Sequence, residues 1–513
     1  MTDTPETAAR PAEIGRPEAR SPRGFADRRG RDLIAERRIV ARVSEVYERW
    51  GFEPLETGAF EYADALGKFL PDADRPNEGV FALQDDPESE KPGQWMALRY
   101  DLTAPLARFA AQNWETLPKP FRRYAFGPVW RNEKPGPGRF REFVQCDADT
   151  VGSDRPEADA EIIAMACAGL KAAGLADGQA VIRVSNRKLF DGLFDAGGVT
   201  DPGQRLTALR AIDKFDRLGW DGVSALLGEG RMDESGDYTK GAKLPLGVAA
   251  TIEAFLASAG DAELSRAGTL DAVARAGGLG AIGEAALEEL AAIDRALASM
   301  GVDQASVKFD PTIVRGLEYY TGAVFEAELL LETADDKGRP VRFGSIGGGG
   351  RYDDLVARFT GQSTPATGFS FGVSRLASAL KAAGREDVSI RGPVVVIVFS
   401  QDDMQAYLDA VSELRNAGIA AELYLGRAGM KAQMKYADRR GAPAAIMLGG
   451  DEIAAGQVTI KDLDAGRAMA AGVADNEAWK AARPGQVTVA RNALVQTIRR
   501  IIDESSINDV VGG

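Results

Sequence analysis

The chain has 513 residues, a formal charge of −14, 45% hydrophobic and 27% charged residues, two cysteines and no histidine. Without imidazole there can be no Ser-His-Asp triad, HExxH zinc site, Cys-His nucleophile or histidine proton shuttle, so catalysis must run on carboxylates, Arg, Lys, Tyr, backbone amides or a substrate-borne metal. The acidic balance argues against a general nucleic-acid coat, two cysteines cannot build a disulfide framework, and no apolar run nears the roughly 20 residues that cross a bilayer, which together fit a reducing, cytoplasmic setting without membrane association.

The length allows about two to four domains. Residues 1–24, rich in Pro, Arg and Glu, read as a disordered extension. Over 33–50, apolar Leu33, Ile34, Ile39, Val40, Val43, Val46 and Tyr47 form the stripe of an amphipathic helix that ends at Gly51. Segments 52–60, 95–100, 124–130 and 140–150 are short β-type runs between Pro/Gly loops, as in an antiparallel sheet. From 157 to about 300 the chain turns Ala- and Leu-rich at helical spacing, which predicts a helical insertion over 170–305. Strand character returns at 307–309 and 323–328, and a glycine loop, Gly347 to Gly350, leads into a helix over 353–359. One sheet-based core, 25–169 with 306–384, thus encloses the insertion. After a linker at 385–392, strand and helix alternate at 394–399, 402–416, 420–425, 430–440 and 444–448, a βαβαβ unit with a parallel sheet within 393–513. The expected class is multidomain, α/β and α+β.

Four segments combine charge, glycine and aromatic residues. In Arg99-Tyr100-Asp101-Leu102-Thr103 a carboxylate and a hydroxyl stand two residues apart, on one face of an extended chain. Taken alone, the segment reads first as a strand end followed by a capping Thr103. In 126–149, Trp130-Arg131-Asn132-Glu133 is joined through a Pro/Gly loop and Arg139 to a strand whose Gln145, Asp147 and Asp149 share one face. Such a face is either solvated surface or the floor of a binding site. Arg315-Gly316-Leu317-Glu318-Tyr319-Tyr320 sets an arginine and an acid beside two tyrosines; Arg suits a phosphoryl oxygen because its fork donates two hydrogen bonds and keeps its charge, although an Arg-Glu pair beside packed aromatics is also common. Last, Gly347 to Asp353 is followed by Gly368-Phe369-Ser370-Phe371-Gly372-Val373-Ser374-Arg375. Four glycines in a row are costly to order and allow close approach to a ligand. No GxxxxGK[ST] loop is present, so a P-loop ATPase is not indicated.

Together these segments resemble the class II aminoacyl-tRNA synthetases, and among them the histidyl-tRNA synthetase family. Residues 126–143 resemble the second class motif and 368–375 the third, while 315–320 and 349–353 are similar to the two signatures of the histidine enzymes. The similarity extends from about residue 25 to 505. It implies an antiparallel-sheet catalytic core with a helical insertion and a C-terminal α/β anticodon-binding domain. The implied reaction joins L-histidine to ATP as histidyl-adenylate, with Mg2+, then transfers the acyl group to tRNA(His).

By the same resemblance the catalytic residues are Arg131 and Arg315, both at the α-phosphate. ATP is bound by Arg131, Glu133, Arg139 and Arg375. The histidine site comprises Asp101, Leu102, Thr103, Gln145, Asp149, Arg315, Tyr319, Tyr320 and Tyr352, with Asp101, Thr103 and Gln145 on the ammonium group and Asp149 and the tyrosines around the imidazole. No resident metal site is implied. The 33–50 helix and the strand after it resemble the class's first motif, which implies a homodimer; Gly58 stands where the family usually has Pro. Arg427, Lys431, Lys435 and Arg439 recur every four residues and, if helical, form a basic stripe for an RNA backbone, or otherwise a merely solvated helix. The loop 134–138 is Gly/Pro-rich rather than of the common bacterial form, which implies a different acceptor-stem mode. The rival is a non-catalytic, histidine-sensing regulatory subunit of ATP phosphoribosyltransferase, which shares the fold but should lack the anticodon domain and the ATP-binding arginines.

Overall fold

The first amphipathic stripe forms a helix from Gly30 to Arg49, which buries Ile39, Val43, Val46 and Tyr47. Val43 and Tyr47 face Gly169 of the helix Pro156–Ala172, where a Cβ would meet them at the ordinary contact distances of 3.7 and 3.6 Å. Both helices belong to a computed structural model that describes residues 18–69, 79–84, 94–134, 140–232, 236–258, 264–314, 320–331, 333–334, 340–341, 344–385, 390–470 and 485–511. The expected extension over 1–24 therefore lies mostly outside the described residues. The chain divides into two compact units, Met1–Arg385 and Glu386–Gly513.

The first unit is built on an eight-stranded sheet. In chain order its strands are β1 (Glu53–Pro54), β2 (Phe121–Trp130), β3 (Glu142–Val151), β4 (Ala180–Asn186), β5 (Val307–Phe309), β6 (Ala323–Leu329), β7 (Gly344–Arg351) and β8 (Ala366–Gly372), and their spatial order is β1-β2-β3-β8-β7-β6-β4-β5. The interior pairs are antiparallel, and only the two outermost pairs, β1 with β2 and β5 with β4, are parallel. A small second sheet sets Trp95–Leu98 between Phe60–Tyr62 and Ala82–Gln84.

Two local expectations are corrected. The stretch 180–186, expected within the helical insertion, is β4 of the central sheet. Its residues 181, 182 and 184–186 are buried, so it lacks the polar alternation that marks a half-exposed strand. The helices of the insertion occupy 188–299, together with a hairpin, Gly230–Met232 with Tyr238–Lys240. The glycines expected to form a loop, Gly347 to Gly350, lie inside β7. A Cβ on Gly347 would meet Phe371 Cβ at 2.8 Å, and one on Gly350 would meet the Ala323 carbonyl at 2.7 Å. Glycine here lets three strands close up, a role that sequence periodicity cannot display.

The second unit has a five-stranded sheet. Its strands β9 (Val394–Val396), β10 (Ala421–Leu423), β11 (Ala444–Met447), β12 (Gln457–Asp462) and β13 (Gln486–Ala490) are ordered β10-β9-β11-β12-β13. The first three are parallel, as the strand–helix alternation predicts, and β12 and β13 extend the sheet antiparallel. Val394 and Val396 share a core with the helices Met404–Asn416 and Leu494–Val511, while Val395 and Ile397 pack with Ala437 of the helix Met430–Arg439 on the other face. A strand buried on both faces explains its unbroken valine run. Among the described residues no helix is long and apolar enough to cross a membrane.

Candidate active site

One face of β3 forms the floor of a pocket of about 490 Å³. Gln145, Asp147 and Asp149 alternate along it, and all three line the pocket while being nearly excluded from solvent. Register explains the hollow. Gln145 is flanked by Gly127 and Gly372, Asp147 by Ala125 and Ser370, and Asp149 by Arg123 and Gly368, so five of the six cross-strand neighbours are small. The four-glycine stretch of β7 contributes Gly347 to Gly349 to the wall, and Tyr320, Phe325, Glu326, Ser345 and Tyr352 complete that side.

The floor is acidic and tightly held. Tyr352 donates its hydroxyl to Asp149 Oδ1 at 2.5 Å, and the Arg123 guanidinium lies 2.8 Å from the other oxygen. Arg123 is fully buried and also donates to the Leu102 carbonyl at 2.9 Å, which ties the floor to the start of the helix Thr103–Asn113. Asp101 caps that helix: its Oδ1 accepts from the Thr103 and Ala104 amides at 3.1 and 2.9 Å, so the cap comes from Asp101 rather than Thr103. Its Oδ2 is buried without a protein partner, as is Gln145 Oε1. Ser370 donates its hydroxyl to Asp147 Oδ1.

Burial pushes the carboxyls of Asp101 and Asp149 upward, and it drives Asp147 up to about 7, helped by neighbouring Asp149 and Asp101 and opposed by Arg123 and Ser370. Burial, then the Asp149 charge, raises the Tyr352 phenol well above its ordinary range. Three acids around one buried arginine leave this end in want of a cation.

The other end of the pocket is cationic. Arg131 follows β2 and is stacked between aromatic rings, its guanidinium carbon 4.3 Å from the Tyr100 centroid and 5.2 Å from that of Phe143. Stacking fixes the plane of a guanidinium while leaving its N–H edge able to meet an anion. Tyr100 donates to Glu133 at 3.1 Å, and Arg375 reaches the pocket from the first turn of the helix Val373–Ala382.

Of the residues marked in the sequence, Asp101, Thr103, Arg131, Glu133, Gln145, Asp149, Tyr320, Tyr352 and Arg375 line this one pocket. Leu102 does not; its side chain is buried with Ala125 and Val129. Arg139, Arg315 and Tyr319 lie outside the described residues, as does loop 135–139. Asp147, which the sequence places on one face with Gln145 and Asp149, and Ser370, within the segment 368–375, line the pocket as well. Sequence reasoning passed over Glu326, which also lines it, and Arg123, which holds Asp149. The period of two signals Arg123, since it shares a strand face with Ala125 and Gly127. In the second unit, Lys431, Lys435 and Arg439 are exposed along the helix Met430–Arg439, with exposed Arg427 in the loop before it.

Comparison with known proteins gives concordant matches. A histidyl-tRNA synthetase family model matches residues 24–376, and an anticodon-binding-domain model matches residues 393–500. A histidine-tRNA ligase of Caulobacter vibrioides is 70% identical, over 95% of this chain and 97% of that protein. One of Brucella ovis is 54% identical, over 94% and 96%. The crystal structure of histidyl-tRNA synthetase from Nostoc sp. superposes with a TM-score of 0.69 at 27% identity, covering 94% of this chain and 99% of that one.

Proposed function

The chain belongs to the histidyl-tRNA synthetase family, and on that premise we propose that its pocket activates L-histidine with ATP and passes it to tRNA(His). The observation that carries this reading is the polarity of the pocket: buried Asp101, Asp147 and Asp149 at one end, Arg131 and Arg375 at the other. An amino acid entering ammonium-first meets the acids, and its carboxylate then faces the arginines together with the phosphates of ATP.

Asp101 and Gln145 each offer a buried oxygen to the ammonium group, and Thr103 stands beside them. Asp149, held by Tyr352, accepts an imidazole N–H. A site built to hydrogen-bond the ring rejects amino acids without it. Attack of the carboxylate oxygen on the α-phosphorus forms one P–O bond and expels pyrophosphate. Charge builds on the phosphoryl oxygens, so clamping cations supply most of the acceleration. Arg131 and Arg315 take the α-phosphate in this account, Glu133 and Arg139 the adenine and outer phosphates, and Arg375 the triphosphate tail. Mg2+ arrives as the MgATP substrate, coordinated chiefly by phosphate oxygens. None of these steps needs a protein imidazole.

We further propose a homodimer. The small sheet supports it, because register sets Phe60 opposite Leu98 and both Tyr62 and Leu83 opposite Met96, and Phe60, Tyr62 and Leu83 are each more than two-fifths exposed. The exposed basic helix Met430–Arg439 supports tRNA binding by the second unit. The regulatory-subunit alternative is not favoured, since an anticodon-binding domain follows the core. Transfer of radiolabelled histidine to a tRNA(His) transcript tests the reading. Acylation requiring both MgATP and that tRNA is expected, and none under any condition would overturn it.

A further inference from the structure

We propose that Asp147 is a further substrate-binding residue of the histidine pocket, the acid that neutralises the substrate's α-ammonium together with Asp101. The proposal rests on the pocket being the histidine site. Asp147 stands between Gln145 and Asp149 on the pocket face of β3 and is 1% exposed. Its small cross-strand neighbours, Ala125 and Ser370, leave the space above it to a ligand. Its companions on the floor already have partners: Asp149 is met by Tyr352 and Arg123, and one oxygen of Asp101 by two backbone amides. Asp147 is held by the neutral Ser370 hydroxyl. A carboxylate buried on a neutral donor is costly while ionised, and a substrate ammonium offsets that cost.

The groups facing Asp147 are Arg123 from β2, Asp149 from its own strand, Ser370 from β8 and Asp101 from the start of the helix Thr103–Asn113. Arg99, Cys146 and, from the helix Gly30–Arg49, Tyr47 also feel its charge. Arg131, Glu326 and Tyr352 line the same pocket. With burial and two acids outweighing Arg123 and Ser370, the carboxyl titrates near 7, so the arriving ammonium displaces a proton from Asp147 around neutrality.

The test uses the full chain, calorimetric titration and two ligands: histidinol, which carries the ammonium group, and imidazole-lactate, which has a hydroxyl in its place. Asp147→Asn is expected to weaken histidinol roughly 10- to 100-fold while moving imidazole-lactate by less than about twofold, the scale of a lost charge-assisted hydrogen bond. It should also flatten the pH dependence of histidinol binding between about pH 6 and 8. The ligand's own imidazole titration is common to both proteins and cancels in the comparison. Ser370→Ala, which releases the carboxylate without removing it, should shift histidinol in the same direction by less. Equal losses for both ligands, or no loss for either, would overturn the proposal. Should Asp147→Asn fail to fold, unchanged histidinol binding by Ser370→Ala overturns it instead. Failure of the unmutated chain to bind histidinol at all would sink the histidine-pocket reading itself.

Discussion

Asp149 is held from two sides, by the Tyr352 hydroxyl at 2.5 Å and by Arg123 at 2.8 Å. A buried carboxylate aimed this firmly is suited to selecting a ring N–H. Tyr352→Phe removes one of the two holds and should raise the KM for histidine roughly tenfold, leaving the KM for ATP within about twofold. Steady-state pyrophosphate exchange measures both constants. Asp147 yields a stability prediction whose sign follows from linkage. Its folded pKa, about 7, stands above the ordinary carboxyl value, so its contribution to stability is present at low pH and lost as pH rises toward 7. Without ligand, Asp147→Asn should therefore melt higher than the unmutated chain at pH 8, and the gain should shrink toward pH 5. A gain that grows on acidification would contradict the assignment. At this scale much was legible: nine of the marked residues line one pocket, because the motif segments run through β3, β7, β8 and the helices beside them. The role of Arg123 is not legible in its own segment, because it comes from a cross-strand partner 26 positions away, in the register Arg123–Asp149.

At the scale of elements, glycine placement gives the pocket its shape. A Cβ on Gly368 would overlap Asp149 Oδ1 and come within 3.0 Å of the Ala148 carbonyl. Gly368→Ala must therefore displace Asp149 or spread β8 from β3, and it should abolish measurable histidine activation while costing about 1–3 kcal/mol in denaturant unfolding. Wild-type activity in that variant would show that the strands do not meet this closely. The apolar face of the small sheet gives a second prediction. Tyr62→Glu combined with Leu83→Glu should leave a monomer in sedimentation where the unmutated chain sediments as the proposed dimer, since burying two carboxylates against apolar partners is prohibitive. Helices were the more legible elements, because their 3.6-residue stripe survives in the sequence, as over 33–50. β4 was hidden because a strand buried on both faces resembles the Ala- and Leu-rich helices around it, and the β7 glycines looked like a loop because residues without side chains carry no pattern.

For the molecule as a whole, the two units have separate cores, and the proposed function assigns activation to the first and tRNA binding to the second. Lys431, Lys435 and Arg439, on one exposed helix of the second unit, are remote in sequence from every residue lining the pocket. Replacing all three by Glu should weaken tRNA roughly tenfold or more, steepest at low salt, and leave histidine-dependent pyrophosphate exchange unchanged. Loss of both activities together would argue against that division. The absence of histidine fits the proposed site, in which the acids hold the ammonium group and the ring, the arginines face the carboxylate and the phosphates, and the substrate brings the imidazole. ATP–pyrophosphate exchange by the purified chain, run with each of the twenty amino acids, tests this account most directly. Exchange with histidine far above that with every other amino acid is expected. No exchange with histidine, or equal exchange with another amino acid, would contradict it.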